Sequence, residues 1–352
     1  MRYCFLLCGM LTLLGCRGQG MQVRTDSRIS LATPMTANVT TDTPPVRDTG
    51  PLGTVAVAGA RDTCRTAKIV VLDVDGLLVN TNMVGPYSAG DNPLSLFREK
   101  LDAVAADPCV CGVVLRINSY GGGVTVSDTM HHELLQFRAR TGLPVVAYLL
   151  EVATGGAYYL ANGAEAIYAH PTTVTGGIGV ILNLYNLQDA MAQVNILTQP
   201  IKAGENIDMG SMARPLTQDA KDWLQAMADE FHARFQRAVT ASRPQAAQGA
   251  PPAFDGRVFT ATQAKARGLI DEVGYLDDAI RAVQARSGRS EVQVVMLRRP
   301  KDPARSLYAT SPNDPPLSNL LPLSMPGLER SKLPTFLYLW MPEPTMDRKG
   351  GK

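Results

Sequence analysis

The stretch "VVAYLLEVATGGAYYLANGAEAIYAHPTTVTGGIGV", residues 145–180, opens on an apolar run and breaks at Thr154-Gly155-Gly156. It passes through a short segment around Tyr158 and Tyr159, then returns through a second apolar run to the glycines at 176–179. An apolar strand that turns at paired glycines into a helix presents a group at the strand's carboxyl end, where open α/β sheets bind ligands. A residue at that helix start meets orphan backbone N–H groups and the positive end of the helix dipole, both of which favour a negative oxygen.

The segments on either side repeat the pattern. "KIVVLDVDGLL" (68–78) and "CGVVLRINS" (111–119) are continuous apolar runs of strand length. Between them, "NPLSLFREKLDAVAADP" (92–108) sets Leu94, Phe97, Leu101 and Val104 on one helical face. "YGGG" (120–123) reads as a glycine loop leading into the helix "TVSDTMHHELLQFRAR" (125–140). Strands alternating with helices of this length predict βαβ units: a largely parallel α/β sheet with flanking helices on both faces. Beyond Thr217, a candidate N-cap, Leu224, Met227, Phe231, Phe235 and Val239 recur at helical spacing. Two more helical segments fill 260–286, and "VQVVMLRR" (292–299) is a last strand.

The N-terminal region reads differently. Arg2 precedes an apolar run of secretory length that closes at Leu13-Leu14-Gly15-Cys16, too short for a bilayer span of ~20 apolar residues. This resembles the bacterial lipobox, which implies acylation of Cys16 and a protein anchored to the extracytoplasmic, periplasmic face of a membrane rather than spanning it. A plain secretory signal is the other reading. Residues 1–16 are therefore expected as a leader and 17–66, rich in Thr, Pro, Asp, Ser and Gly, as a disordered tether. Residues 67–298 are expected as the folded domain and 299–352 as a Pro-rich tail.

Composition narrows the function. The net charge is +2 and aromatics are only 6%, with no basic block, so a nucleic-acid partner is not expected. Outside the leader the cysteines are Cys64, Cys109 and Cys111, an odd number that builds no disulfide framework. Cys109 and Cys111 have no second Cys or His pair at ligand spacing, so they are expected to be buried or redox-idle, with no metal site and no cofactor. The two glycine loops, at Gly121-Gly122 and Gly155-Gly156, could aim backbone amides at an oxyanion or an extended peptide.

Four segments in order, "VVLRINSYGGG" (113–123), residues 145–180, "IKAGENIDMGSMARPLT" (201–217) and "FDGRVFTATQAKARGLIDEVGYLDDAI" (254–280), resemble the signal peptide peptidase A family of membrane-bound serine peptidases. The resemblance covers roughly residues 68–285. It implies the fold shared by Clp protease subunits and enoyl-CoA hydratases, a ring-shaped oligomer, and peptide substrates. It also implies a Ser/Lys dyad, in which a serine attacks the peptide carbonyl and a neutral lysine takes its proton. The family's Ala-Ala-Ser-Gly-Gly-Tyr-Tyr motif falls without a gap on Ala153-Thr154-Gly155-Gly156-Ala157-Tyr158-Tyr159 if the tyrosines and Pro144 are aligned, which puts Gly155 at the serine position. The family's lysine motif falls on residues 202–211 and puts Ile207 at the lysine position. Neither side chain can do the chemistry. The resemblance thus implies a pseudo-peptidase that holds peptides, alone or in a ring with an active paralogue.

Two alternatives compete. Thr154 could replace the nucleophile in an active peptidase, although its place one residue early would turn its hydroxyl away from the neighbouring glycine loop and suit it to capping the helix. The run "VVLDVDGLLV" also resembles the aspartyl-phosphate motif of haloacid dehalogenase-like phosphatases. Asp73 would then be nucleophile and Asp75 acid/base, with Thr154, Lys265, Asp277 and Asp278 in the remaining roles around Mg²⁺.

Overall fold

Strand formation follows from apolar runs that must be covered on both sides. In β2 (Ala67–Leu78), Val70, Leu72 and Val74 point to one face and Ile69 and Val71 to the other, and all five are buried. The computed structural model describes residues 51–59, 66–82, 91–248, 253–299 and 336–340, all within one compact unit that runs from Arg47 to Lys352. The expected leader with Cys16, most of the expected tether, Cys64 and most of the tail lie outside the described residues.

The sheet is built on β2, β3 (Val110–Gly123), β4 (Val145–Thr154), β5 (Ala166–Ala169) and β8 (Glu272–Val273), which pair in parallel in that order. On the other side of β2 lies β9 (Val292–Arg298), also parallel. The strands β6 (Val174–Gly176) and β7 (Val258–Thr260) form a side ladder on the end of β4. The expected largely parallel α/β architecture is what the chain adopts.

The first face carries α1 (Pro93–Ala106), α2 (Val124–Thr141), α3 (Gly156–Ala161) and α5 (Gln218–Ser242), which contribute Phe97, Leu101, Met130, Leu134, Phe137, Phe235 and Val239 to its core. The second face is covered by α7 (Leu276–Ser287) through Leu276, Ala279, Ile280 and Val283. Short helices α4 (Gln188–Gln193) and α6 (Ala261–Ala266) lie in the connections. The Asn92 side chain caps α1 by accepting from the amides of Leu94 and Ser95, a contact worth about 1 kcal/mol. Thr217 caps α5 by accepting from the Ala220 amide at 3.3 Å. Along α5 the buried side chains are Ala220, Phe235 and Val239, whereas Trp223 and Met227 are exposed.

The expected boundaries need correction at both ends. Within the span read as tether, β1 (Gly53–Gly59) pairs antiparallel with β9 and supplies Val55 and Val57 to the second core. Within the span read as tail, β10 (Leu337–Leu339) pairs antiparallel with the end of β3. Each is an edge addition, held by backbone hydrogen bonds to a strand that already exists, so a short segment without its own pattern suffices. Cys109 and Cys111 are half-buried free thiols rather than fully buried ones.

Candidate functional site

The glycines at 121–123 are strand, not loop. β3 continues through them, with Gly121 and Gly122 opposite Leu77 and Leu78 of β2. Its other neighbour, β4, keeps pace only as far as Ala153, which faces Ser119. There β4 bends away, and Gly155 takes φ 54° and ψ −122° before α3 begins. This backbone is open to glycine and strained for other residues. It is a sharp strand-to-helix elbow, the shape expected for presenting a nucleophile, and position 155 at its turn has no side chain.

Where β4 leaves, the free edge of β3 is taken by β10. The Val124 amide donates to the Phe336 carbonyl at 3.3 Å, and the Trp340 amide donates to the Tyr120 carbonyl at 3.3 Å. On its other edge, Leu337 exchanges both backbone bonds with Ile181, at 2.9 and 3.0 Å. The strand thus lies in a slot between β3 and the segment around Ile181. The backbone also runs close over the glycines. A Cβ built on Gly121 would lie 2.1 Å from the Tyr338 carbonyl oxygen and 2.7 Å from the Gly156 amide nitrogen, and one built on Gly155 would lie 2.4 Å from the same oxygen.

The floor of the slot is aromatic. The Tyr338 ring, fully buried, stacks on Tyr159 with centroids 5.4 Å apart and lies 4.8 Å from Phe235. Its hydroxyl donates to the Phe231 carbonyl at 2.7 Å. Tyr159 is itself fixed, because its hydroxyl donates to Asp128 at 2.7 Å and Arg234 grips both oxygens of that carboxylate at 2.8 and 2.9 Å. Burial pushes the Asp128 carboxyl up, but the arginine and tyrosine bonds outweigh it and hold the group below its ordinary range. Burial raises both the Tyr159 and the Tyr338 hydroxyls, so both stay protonated donors.

The four expected site glycines, Gly121, Gly122, Gly155 and Gly156, do come together, but two of their amides are already engaged. Gly155 donates to the Gly176 carbonyl at 2.9 Å, and Gly121 donates to the Ser119 hydroxyl at 3.0 Å. Thr154 corrects two expectations. Its hydroxyl donates to the Tyr120 carbonyl at 3.3 Å, so it points toward the β3 glycine stretch rather than away from it. It also caps nothing: Gly155 is the N-cap of α3, with no side-chain cap bond. The reason is that Thr154 is the last residue of β4, where side-chain direction follows the strand's alternation and not the helix's 100° step. Ile207 sits 74% exposed in a turn, and nearby Lys202 is occupied by Asp208 at 2.9 Å.

The phosphatase arrangement is not assembled. Asp73 is buried between two arginines, Arg116 at 2.7 Å and Arg298 at 3.3 Å, while Lys100 donates to its backbone carbonyl at 3.0 Å. Burial raises the Asp73 carboxyl and the three cations oppose it; burial and Asp73 together push Asp75 up to about 6. Lys265 is paired with Glu272 on the surface, and Asp278 caps α7 through the Tyr275 amide at 2.7 Å. A carboxylate held on both oxygens inside the core is not free to attack a phosphate ester, so Asp73 is structural.

Sequence reasoning missed Tyr338, Ile181 and the Phe231–Phe235 floor. The available signal was "FLYLW" (336–340), an apolar, aromatic run inside a Pro-rich segment.

Residues 138–289 match the model of peptidase family S49. The chain is 27% identical over 228 residues to a protein assigned as signal peptide peptidase SppA in Enterococcus faecium, covering 65% of this chain and 66% of that one. It is 32% identical over 195 residues to a Methanocaldococcus jannaschii protein assigned as a protease (55% and 62%) and 26% identical over 276 residues to protease 4 of Salmonella typhi (78% and 41%). These alignments span at most 66% of the relatives' own lengths. Among solved structures, a mutant of the 1510-N membrane-bound stomatin-specific protease aligns at 14% identity over 65% of this chain and 97% of its own, with a TM-score of 0.39. A ClpP1 mutant from Listeria monocytogenes aligns at 14% over 60% and 94%, with a TM-score of 0.38. The family model is matched across the elbow, so residues 138–289 carry the peptidase family S49 match, and the relatives aligned over that stretch support assignment to the signal peptide peptidase A family.

Proposed function

We infer that this chain is a pseudo-peptidase of its family, which binds an extended peptide in the slot beside β3 and does not cut it. One observation carries the reading. The elbow that should present the nucleophile keeps its backbone geometry at Gly155, while the side chains needed for attack and proton transfer are absent at Gly155 and Ile207. A slot that satisfies the backbone of a strand on two edges recognises peptides with little regard to sequence, and side-chain pockets add selectivity. The buried Thr154 hydroxyl donates to the Tyr120 carbonyl, which favours a structural role for it.

The setting is the extracytoplasmic face of a bacterial membrane, with Cys16 as the lipid anchor. The signal-like run at residues 1–16 supports this, and no helix among the described residues is long and apolar enough to cross a membrane. Assembly with further copies or with an active paralogue is supported by Val194, Ile196, Leu197 and Ile201, large apolar side chains that are all more than half exposed.

The test is incubation of the full mature chain with an unfolded protein, a labelled extended peptide and a fluorophosphonate probe. Binding of the peptide with neither cleavage nor labelling is expected. Cleavage or labelling that disappears in Thr154→Ala would overturn the reading in favour of a threonine nucleophile.

A further inference from the structure

The slot assigned above to peptides is already filled by one, and the occupant belongs to the same chain. The five residues Phe336–Trp340 reach it through residues 300–335, after the last strand of the sheet has closed at Arg298. Their contacts are those of a bound extended peptide: backbone bonds to Tyr120 and Val124 on one side and to Ile181 on the other. Their carbonyl path also requires bare glycine beneath it. Side chains at Gly121 or Gly155 would lie 2.1 or 2.4 Å from the Tyr338 oxygen. A Cβ on Gly155 would further sit 2.7 Å from the Tyr338 carbonyl carbon and 3.1 Å from the Leu339 nitrogen. The position matching the family's nucleophile therefore faces the Tyr338–Leu339 peptide bond.

The side chains show what the slot selects. Tyr338 enters the enclosed floor, where Tyr159 and Phe235 contact its ring and the Phe231 carbonyl accepts from its hydroxyl. The flanking Leu337 and Leu339 are only half-buried. An aromatic ring with a hydroxyl fills this floor completely, whereas an aliphatic side chain would leave the Phe231 carbonyl without that donor. Asp128 and Arg234 hold Tyr159 in the orientation that the stack requires.

We propose that Phe336–Trp340 is a tethered ligand of the slot, and that the slot selects extended peptides with a tyrosine or phenylalanine where Tyr338 lies, flanked by apolar residues. Free peptides of that pattern compete with the chain's own segment, so the slot is self-occupied until a competitor displaces it. This rests on the peptide-binding reading and adds its side-chain specificity and its resident occupant.

The test uses the full chain with a sequence-specific protease site inserted between Asn319 and Leu320, cut or left intact, and a fluorescent peptide of residues 333–342 read by anisotropy. After cutting, the C-terminal fragment is expected to exchange with the peptide, and the cut protein should bind at least tenfold more tightly than the intact one. A peptide carrying Tyr338→Ala should bind at least tenfold more weakly, and one carrying Tyr338→Phe within a few-fold. The proposal is overturned if the cut protein never exchanges its fragment, if it unfolds when the fragment leaves, or if the alanine peptide binds as well as the native one. Mass spectrometry of the peptide separates the two readings: cleavage would sink the pseudo-peptidase and leave the selectivity standing, while an intact peptide that fails to bind would sink the proposal here.

Discussion

Gly155 and Tyr338 exclude a side chain between them: a Cβ on the glycine would lie 2.4 Å from the tyrosine's carbonyl oxygen. The bare backbone at position 155 and the seating of β10 are therefore physically linked. Gly155→Ala is expected to dislodge that strand, because the obstructing atoms are backbone and cannot swing aside, and to add strain at φ 54° of roughly 1–3 kcal/mol. Hydrogen exchange checks it: amide protection at Leu337 and Trp340 should fall at least tenfold, with protection in β2 and the body of β3 unchanged.

Tyr338 fills the floor of the slot. Tyr338→Phe deletes the bond to the Phe231 carbonyl and is expected to cost about 1 kcal/mol, whereas Tyr338→Ala also loses the ring contacts with Tyr159 and Phe235 and should cost about 3 kcal/mol or more. Chemical denaturation separates the two. Equal effects would mean that the ring contributes little to holding the strand.

Asp73 is the hub of a buried charge cluster. Asp73→Ala leaves the side chains of Arg116 and Arg298, both fully buried, without their carboxylate, and is expected to destabilise the fold by about 3–5 kcal/mol. A variant as stable as the parent would show that water reaches this cluster.

His131, edge-on to Tyr159, is pushed down to about 4 by burial. A base whose folded value lies below its unfolded value near 6.5 binds fewer protons when folded. Its contribution is therefore present above pH 6.5 and lost as the pH falls toward 4. Asp75, raised to about 6, works the other way and favours the folded state as the pH falls from 6 toward 3.8. Between pH 7 and 4.5, His131→Phe should lose less stability than the parent, by on the order of 2 kcal/mol, and Asp75→Asn should lose more. Urea midpoints across that range give both slopes; parallel curves would show that neither group titrates differently on folding.

Much of the fold was legible because it is local. Apolar runs at 68–78, 111–119 and 145–153 have the length and β-branched content of buried strands, and Asn92 and Thr217 mark the starts of α1 and α5 by chemistry within four residues of each cap. The elbow at Gly155 was legible too, as was the presence of Gly at 155 and Ile at 207. The direction of the Thr154 hydroxyl was not, because it depends on whether the residue ends a strand or starts a helix, a difference of one position. The role of Asp73 was also hidden, since Arg116 and Arg298 lie 43 and 225 residues away in sequence and meet it only when β2, β3 and β9 pair. The occupant of the slot left only the short apolar run "FLYLW" as a trace. Leu337–Leu339 has no alternating pattern of its own, and becomes a strand because β4 turns away at Gly155 and leaves the edge of β3 unpaired. By itself, then, the sequence determined the sheet, the elbow and the glycine at its apex, all functions of near neighbours along the chain. Only the tertiary structure decided what fills the elbow, because an unpaired strand edge is satisfied by whatever segment the fold brings to it.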